Sequence, residues 1–402
     1  MNNLSNKIST RGDSLLNKKF LKVGIDLVFI KPQKMGGAEA FVQNLLKGFL
    51  KLSPKDMHFY LITARNNEEI FKNFEDQNPD LFTLIKTNVF SENVARRIIW
   101  ENIFLDRLAN NLNIDLMYVP VYSKPLFNHK LPYIITIHDL QALHYPEYFS
   151  KIKNTWLHFA WSNCLKTANK LVAISEFTKS DILNNFKLPE SKISVINPPI
   201  FVSKEEIEDF NNLSSKYKIE KKNYLYTVSS MLPHKNLYVI IKLIKMIKEN
   251  PKIKLPNKLV ISGVGGKSQN ELINIINNLE IKDNVVITGF VSDKERNTLY
   301  KNAFTFLFPS IFEGFGSPPV EALMFGTPVI TTKLTSIPEA TQNKAFYVDN
   351  PKDPNEWLNK LLLIKDDLKI SDVDFSDYNF EFIANKYIVL FKETLNEISY
   401  YS

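Results

Sequence analysis

Two carboxylates, Glu313 and Glu321, stand eight residues apart in the stretch Phe308 to Glu339, FPSIFEGFGSPPVEALMFGTPVITTKLTSIPE. The apolar run Phe304 to Phe308 ahead of them predicts a buried parallel strand. The turn Glu313-Gly314-Phe315-Gly316-Ser317 lets the backbone come close to a ligand. Pro318 or Pro319 suits the first position of a helix, which Gly326 and Pro328 then stop. Val329 to Thr332 predicts the next strand. A strand, a glycine turn and a helix start present free backbone N–H groups and a positive dipole end, which suits a phosphate. Glu313 precedes this anion site, and Glu321 is expected in the first helical turn. Neither carboxylate binds phosphate, but both accept hydrogen bonds from hydroxyls. A sugar nucleotide carries hydroxyls on both sides of its diphosphate.

Three further motifs have residue types that fit such a ligand. Lys34-Met35-Gly36-Gly37-Ala38-Glu39 lies between a predicted strand and a predicted helix. There Gly36 and Gly37 either lay N–H groups against a phosphate or sugar, or make a tight turn that needs glycine torsions. No G-x-G-x-x-G follows this strand, so it is not a dinucleotide fingerprint. Thr136-Ile137-His138-Asp139 ends another predicted strand, the edge at which open α/β sheets bind ligands. His138 can share a proton near neutral pH, and Asp139 can cap a following turn. A histidine there with a purely structural role has the same signature; His144 and His158 are taken as structural. In Ser229-Ser230-Met231-Leu232-Pro233-His234-Lys235-Asn236, Lys235 comes just before an apolar helix. A cation there opposes the helix dipole unless an anion is bound, and a solvated lysine is the plain alternative.

Some look-alikes fail. Gly263-Val264-Gly265-Gly266-Lys267-Ser268 resembles a P-loop, but the spacing requires glycine where Ile261 stands. Asp372-Val373-Asp374 spells Asp-x-Asp in a polar link, away from any strand end. Arg96-Arg97-Ile98-Ile99-Trp100 mixes basic and apolar residues on a predicted helix, which fits ordinary packing or a membrane surface.

The elements that must position these residues alternate from end to end. Leu21 to Ile30, Met57 to Thr63, Leu116 to Val119, Tyr133 to Ile137, Leu171 to Ile174 and Ile193 to Ile196 read as strands, and the series ends before Asn197-Pro198-Pro199. Ala38 to Leu50 reads as a helix with Phe41, Leu45, Leu46 and Phe49 on one face. After a polar helix, roughly Lys204 to Tyr217, a second series begins: Tyr224 to Val228, Lys258 to Ser262, Val285 to Thr288, Phe304 to Phe308 and Val329 to Thr332. Strand–helix alternation predicts an α/β fold with parallel sheets. Two series about a proline-rich joint predict two doubly wound, Rossmann-like domains facing a cleft. The expected division is a loose tail 1–19, an acceptor-side domain 20–198, a donor domain 199–378, and a last helix 379–402 packing back on the first domain. That helix shows in the spacing of Phe380, Ile383, Ala384, Tyr387, Ile388, Phe391 and Leu395.

Composition agrees with a globular chain of this size. It has 402 residues, 44% hydrophobic and 23% charged. No apolar run reaches the roughly 18 residues of a membrane helix, and Met1 to Lys19 lacks a signal-peptide core. Cys164 is the only cysteine, which excludes an intrachain disulfide and suits a reducing cytoplasm. The net charge of +7 is compatible with an anionic surface or ligand. No basic run with interleaved aromatics points to nucleic acid.

Together these residues resemble the retaining glycosyltransferase family four, which has the GT-B fold. The likeness runs in order through Gly36-Gly37, His138-Asp139, Val172-Ala173-Ile174-Ser175-Glu176-Phe177, Lys235-Asn236, Gly289-Phe290-Val291, the Glu-x7-Glu block and Ile337-Pro338-Glu339. Asp139 to Phe149 resembles members that build bacterial surface polysaccharides. The resemblance implies that Glu321 holds the donor's ribose hydroxyls. Glu313 and the backbone of Gly314, Phe315 and Gly316 would hold the transferred sugar. Lys235 would neutralise the leaving diphosphate, His138 would stand by the reacting face, and Gly36-Gly37 would close over the phosphates. The implied catalytic set is His138, Lys235 and Glu313; the donor set adds Gly36, Gly37, Ser230, Asn236, Gly314, Phe315, Gly316, Ser317 and Glu321. The family usually has arginine at the position of Ser230, which makes Lys235 the chief cation.

The implied reaction transfers a sugar, with retention, from a nucleotide-diphosphate sugar to a glycan or lipid-linked glycan in lipopolysaccharide, O-antigen or capsule synthesis. The nucleotide sugar is a co-substrate; no metal or other cofactor is expected. The implied location is the cytoplasm, with peripheral contact at the inner membrane face as an option. The alternatives are a sugar-nucleotide epimerase, a phosphorylase, for which no pyridoxal-phosphate lysine is identified, or a non-catalytic binding subunit of the same fold.

Overall fold

The computed structural model describes residues 20–32, 36–122, 125–126, 131–364 and 374–401. The expected tail 1–19, Lys34 and Met35 of the first glycine loop, and Asp372 and Val373 of the Asp-x-Asp match lie outside them. The chain divides into two compact units, Met1–Phe201 with Ser376–Ser402, and Val202–Phe375. Residues 199–201 and 376–378, expected in the donor half, therefore belong to the first unit. The reason is a backbone tie: Ile200 N–H donates to the Tyr378 carbonyl at 2.8 Å, and Ile200 bridges to Asn379.

In the first unit, seven strands lie in the order β3-β2-β1-β4-β5-β6-β7, all neighbours parallel. They are β1 (Leu21–Asp26), β2 (Met57–Thr63), β3 (Phe82–Lys86), β4 (Leu116–Val119), β5 (Tyr133–Ile137), β6 (Lys170–Ala173) and β7 (Ile193–Val195). Every residue of β4 and β5 is buried, as a strand covered by helices on both faces must be. The helix Gly36–Leu52 buries Phe41, Val42, Leu45, Leu46 and Phe49. It packs on the last helix, Phe380–Tyr401, with Phe41 centred 6.5 Å from Tyr387 and Phe49 6.2 Å from Phe391. Gly48 permits this approach, since a Cβ there would run into the Phe380 carbonyl. Each large side chain sealed in this seam contributes roughly 1.5–3 kcal/mol.

In the second unit, six parallel strands lie in the order β10-β9-β8-β11-β12-β13. They are β8 (Leu225–Val228), β9 (Leu259–Ser262), β10 (Val285–Gly289), β11 (Thr305–Phe308), β12 (Val329–Thr332) and β13 (Phe346–Val348). Both sheets start near the middle, run to one edge, then return and run to the other. This Rossmann-type order creates a switch point between the first and fourth strands, β1/β4 and β8/β11.

The strand expected over Leu21 to Ile30 ends at Asp26. Beyond it the Leu27 N–H still donates to the Ile62 carbonyl of β2 at 2.8 Å, while the Asn67 amide donates to the Leu27 and Ile30 carbonyls at 2.9 and 2.8 Å. The helix expected from Lys204 is helical only over Phe210–Tyr217, with Asp209 as its cap. The segment before it instead bonds across to the helix Asp293–Asn302, Glu208 N–H to Thr298 Oγ1 at 2.8 Å and Asn297 Nδ2 to the Glu206 carbonyl at 3.1 Å. Among the described residues no helix is long and apolar enough to cross a membrane.

Candidate active site

In the second unit, chain reversal at the β8/β11 switch point brings together two motifs 78 residues apart. Lys235 Nζ lies 2.6 Å from Glu313 Oε1, with both side chains partly exposed. The ammonium also sits 5.8 Å from the centre of the Phe308 ring. Leaving β8, the Ser229 N–H donates to the Ser262 carbonyl at 2.9 Å. Gly263, at φ +90°, lets the β9 loop lie against it; a Cβ there would stand 2.8 Å from the Ser229 carbonyl oxygen. The chain then makes a 3-10 turn, Pro233–Lys235, and Asn236 passes through the left-handed region (φ 49°) before the helix Leu237–Glu249.

The two loops are joined independently of the ion pair. The His234 carbonyl accepts from the Ile311 N–H at 2.8 Å and from Ser310 Oγ at 3.2 Å. The His234 ring is buried, and that burial, with the adjacent Lys235 charge, lowers its pKa to about 4. It is therefore neutral at physiological pH and adds no charge beside Lys235.

The Glu313 turn is held from behind by the segment after β12. Glu313 N–H donates to Thr335 Oγ1 at 3.2 Å, and Ser336 Oγ donates to the Glu313 and Phe315 carbonyls at 2.9 and 3.0 Å. Phe315 is buried, so its side chain anchors the turn. Gly316 takes φ 93°, a left-handed value that glycine adopts without strain, and the helix Ser317–Met324 follows. The helix thus starts one residue before the expected prolines, with Pro318 second. Glu321 is its fifth residue, past the first turn where it was expected; no acidic residue lies in that turn.

Glu321 meets a cation absent from the sequence-based set. Its Oε2 lies 3.5 Å from Arg296 Nε, on the helix Asp293–Asn302, and Arg296 Nη1 lies 2.9 Å from Asp293 Oδ1. Burial works against the Arg296 charge, yet Glu321, Tyr300, Asp293 and Tyr226 together raise its pKa above the ordinary value. Tyr300 behind them is fully buried; burial first, and Glu321 second, push its phenol well above the usual range.

In the first unit, His138 follows β5 directly. Its Nε2 is 2.8 Å from the Pro120 carbonyl at the end of β4, and its ring meets Phe41 edge-on at 5.0 Å. Burial lowers its pKa, against the Pro120 bond and Asp139, which favour the proton. Asp139 Oδ1 accepts the Gln141 N–H at 2.9 Å and caps the short turn that follows. Gly36 and Gly37 open their helix exposed, without a left-handed φ and with nothing within 4 Å of an added Cβ. A turn that needs glycine torsions does not account for them, and the open space there would admit a side chain. Arg97 turns inward, with Nε 3.3 Å from Glu101 Oε1, while Arg96 is exposed.

Residues 35–204 match the model described as Glycosyltransferase Family 4, and residues 209–380 match that described as Glycosyl transferases group 1. The chain belongs to this glycosyltransferase family. It is 32% identical over 234 residues to the O-antigen chain mannosyltransferase RfbU of Salmonella typhimurium, a match covering 57% of this chain and 61% of that one. It is 26% identical over 240 residues to O-antigen chain mannosyltransferase B of Escherichia coli, covering 58% and 62%. The chain thus spans about three fifths of the length of these curated relatives. Anabaena Alr3699/HepE, solved with UDP-glucose, shares the fold with a TM-score of 0.64 and 18% identity, over 94% of this chain and 99% of that one. The fold is GT-B.

Of the expected residues in the second unit, Lys235 and Glu313 meet directly, and Gly314, Phe315, Gly316 and Ser317 form the turn beside them. Asn236 donates its amide to the Pro351 carbonyl at 2.8 Å, so that group anchors a neighbouring loop. Ser230 is half-buried, and its carbonyl accepts from Ser229 Oγ at 3.3 Å. Arg296 and His234 were missed. Arg296 falls in the run Asp293-Lys294-Glu295-Arg296, which reads as a solvated helix face; its one signal is an arginine on the helix leading into β11.

Proposed function

We propose that this family member is a retaining glycosyltransferase that moves a sugar from a nucleotide-diphosphate sugar to a glycan of the cell surface. The observation that carries this reading is the Lys235–Glu313 pair at the β8/β11 switch point, beside the glycine turn that opens the helix of Glu321. Lys235 offers a cation that a diphosphate oxygen can share with Glu313. Glu313 and Glu321 offer hydroxyl acceptors, Glu321 for the ribose and Glu313 for the sugar. His138 and the Gly36-Gly37 helix start are the first unit's proposed contributions to the reacting sugar and the phosphates.

In the proposed step the bond from the anomeric carbon to the diphosphate breaks, and the acceptor hydroxyl attacks the same face. Its proton passes to the departing phosphate. The names of the O-antigen mannosyltransferase relatives support an envelope polysaccharide as acceptor. A lipid-linked acceptor would be presented at the inner membrane face, so the proposed location is the cytoplasm with peripheral membrane contact.

The test is a thermal-shift screen of the purified chain against UDP, GDP and their hexose and N-acetylhexosamine conjugates, followed by transfer assays. A ligand at 100 times its Kd stabilises by about 2.7 kcal/mol. One base and one sugar are expected to stand out, with the donor consumed only when a glycan acceptor is present. Consumption at full rate without acceptor would turn the reading to an epimerase. No stabilisation by any nucleotide would end it.

A further inference from the structure

We propose that Arg296 is a positioning residue for nucleotide binding, holding the Glu321 carboxylate in the orientation that accepts the two ribose hydroxyls. The inference rests on the reading of Glu321 as the ribose anchor and goes beyond it by naming what orients that anchor.

Glu321 is only partly buried, and a glutamate free to rotate loses up to about 1.5–2 kcal/mol of side-chain entropy when a ligand fixes it. An arginine that fixes it beforehand removes much of that loss, because a guanidinium is planar and presents its donors in a rigid fork. Arg296 is well placed for this task. It comes from a different helix, Asp293–Asn302, whose own start is fixed by the Ser292 cap accepting Glu295 N–H at 3.2 Å. Its Nη1 is held at 2.9 Å by Asp293, which leaves Nε directed to the neighbouring helix.

That Nε is buried and makes no directed hydrogen bond among the described residues, and Glu321 Oε2 stands 3.5 Å away. A buried donor without an acceptor costs roughly 1–3 kcal/mol. A modest rotation of the Glu321 carboxylate closes that bond and leaves its other oxygen for hydroxyls. Stability alone is a thin reason for the pair. Its side chains are 27% and 19% exposed, and partly exposed pairs at such a distance contribute little. The wall behind is rigid: Tyr300 and Tyr226 are fully buried, their rings 5.2 Å apart edge-on. The carboxylate thus stands between buried Tyr300 and Arg296, and Arg296 is its one ion-pair partner among the described residues.

The experiment is calorimetric titration of the full chain with UDP and GDP and with their 2′-deoxy forms. The ratio of ribo to 2′-deoxy affinity reports the ribose contact alone, and a general loss of structure would not move it. Wild type is expected to prefer the ribonucleotide by about tenfold or more. Arg296→Gln should cut that preference at least threefold, and Arg296→Lys should restore part of it. The double variant Glu321→Ala with Arg296→Gln should show no smaller preference than Glu321→Ala alone, because Arg296 acts through Glu321. Full ribo/deoxy discrimination in Arg296→Gln, with Glu321→Ala lacking it, overturns the role of Arg296 and leaves the Glu321 reading standing. Full discrimination in Glu321→Ala, or none in wild type, overturns both.

Discussion

At the end of β11, Glu313 meets Lys235 within 2.6 Å, and both stay in reach of water. At the end of β1, the matching switch point of the first unit, Asp26 is sealed from solvent and accepts the Val28 N–H at 3.1 Å. Burial pushes its carboxyl up to about 6, against the Val28 bond and the Arg97 charge. Nearby, burial also lowers His138 and raises Tyr133 and Tyr122 toward their neutral forms. The same strand order thus supports two electrostatic regimes. One switch point keeps opposite charges paired and accessible, which suits a charged ligand such as a diphosphate. The other drives its groups toward neutrality, which suits hydroxyls and proton sharing.

The largest expected break in that contrast is Lys235→Met. It leaves Glu313 without its cation and removes the charge assigned to the diphosphate. Loss of one preorganised electrostatic contact of this kind costs about 10²–10³-fold in rate. Donor kcat/KM should fall by that factor, and Lys235→Arg should recover part of it. A fall under about threefold would mean that the accessible pair does not serve the leaving group.

A smaller effect concerns pH. His234 has a folded pKa of about 4, below the 6.5 of an unfolded histidine, so the unfolded chain binds more protons between these values. Its contribution is fully present above pH 6.5 and is lost as pH falls toward 4. At about 1.4 kcal/mol per unit, the loss approaches about 3 kcal/mol. Thermal unfolding of His234→Gln and wild type, followed from pH 7 to 4, should show a flatter acid slope for the variant. Parallel slopes would remove His234 as the acid-sensitive group beneath the Lys235 loop.

Both regimes were only partly legible in the sequence. Lys235 and Glu313 were visible because each follows an apolar run at a strand end, and a parallel sheet gathers such ends on one edge. His138 was visible for the same reason. Arg296 was not, since its partner lies 25 residues on, on another helix, and a charged run on a helix usually means solvent. Asp26 looked like the middle of a strand; the chain just after it is tied instead by the Asn67 amide, 41 residues away. The edge strands β3 and β13 were missed because Phe82–Lys86 is mostly half-exposed and Phe346–Val348 has three residues, too little for a period to show. What the sequence withheld depends on contacts across the chain, while what it disclosed is local pattern at strand ends.

The smallest expected effect, and the sharpest test of the contrast, lies in the first unit. The raised Asp26 pKa gives stability that is fully present below the unfolded value of 3.8 and is lost as pH rises through 6. His138 has the opposite sign, because a lowered histidine loses its contribution on acidification. The two therefore act in opposite directions on acidification and partly offset each other within the first unit. Asp26→Asn keeps an oxygen for the Val28 N–H and removes the titration. Its stability relative to wild type should rise with pH between 4 and 7, by about 1–2 kcal/mol after allowance for relaxation of the site. A tandem unfolding series for wild type, Asp26→Asn and His138→Gln would show it: Asp26→Asn should expose an acid slope that His138→Gln, added to it, takes away. If Asp26→Asn tracks wild type at every pH, Asp26 is not held toward neutrality, and the division between a charged and a neutral switch point fails on the first unit's side.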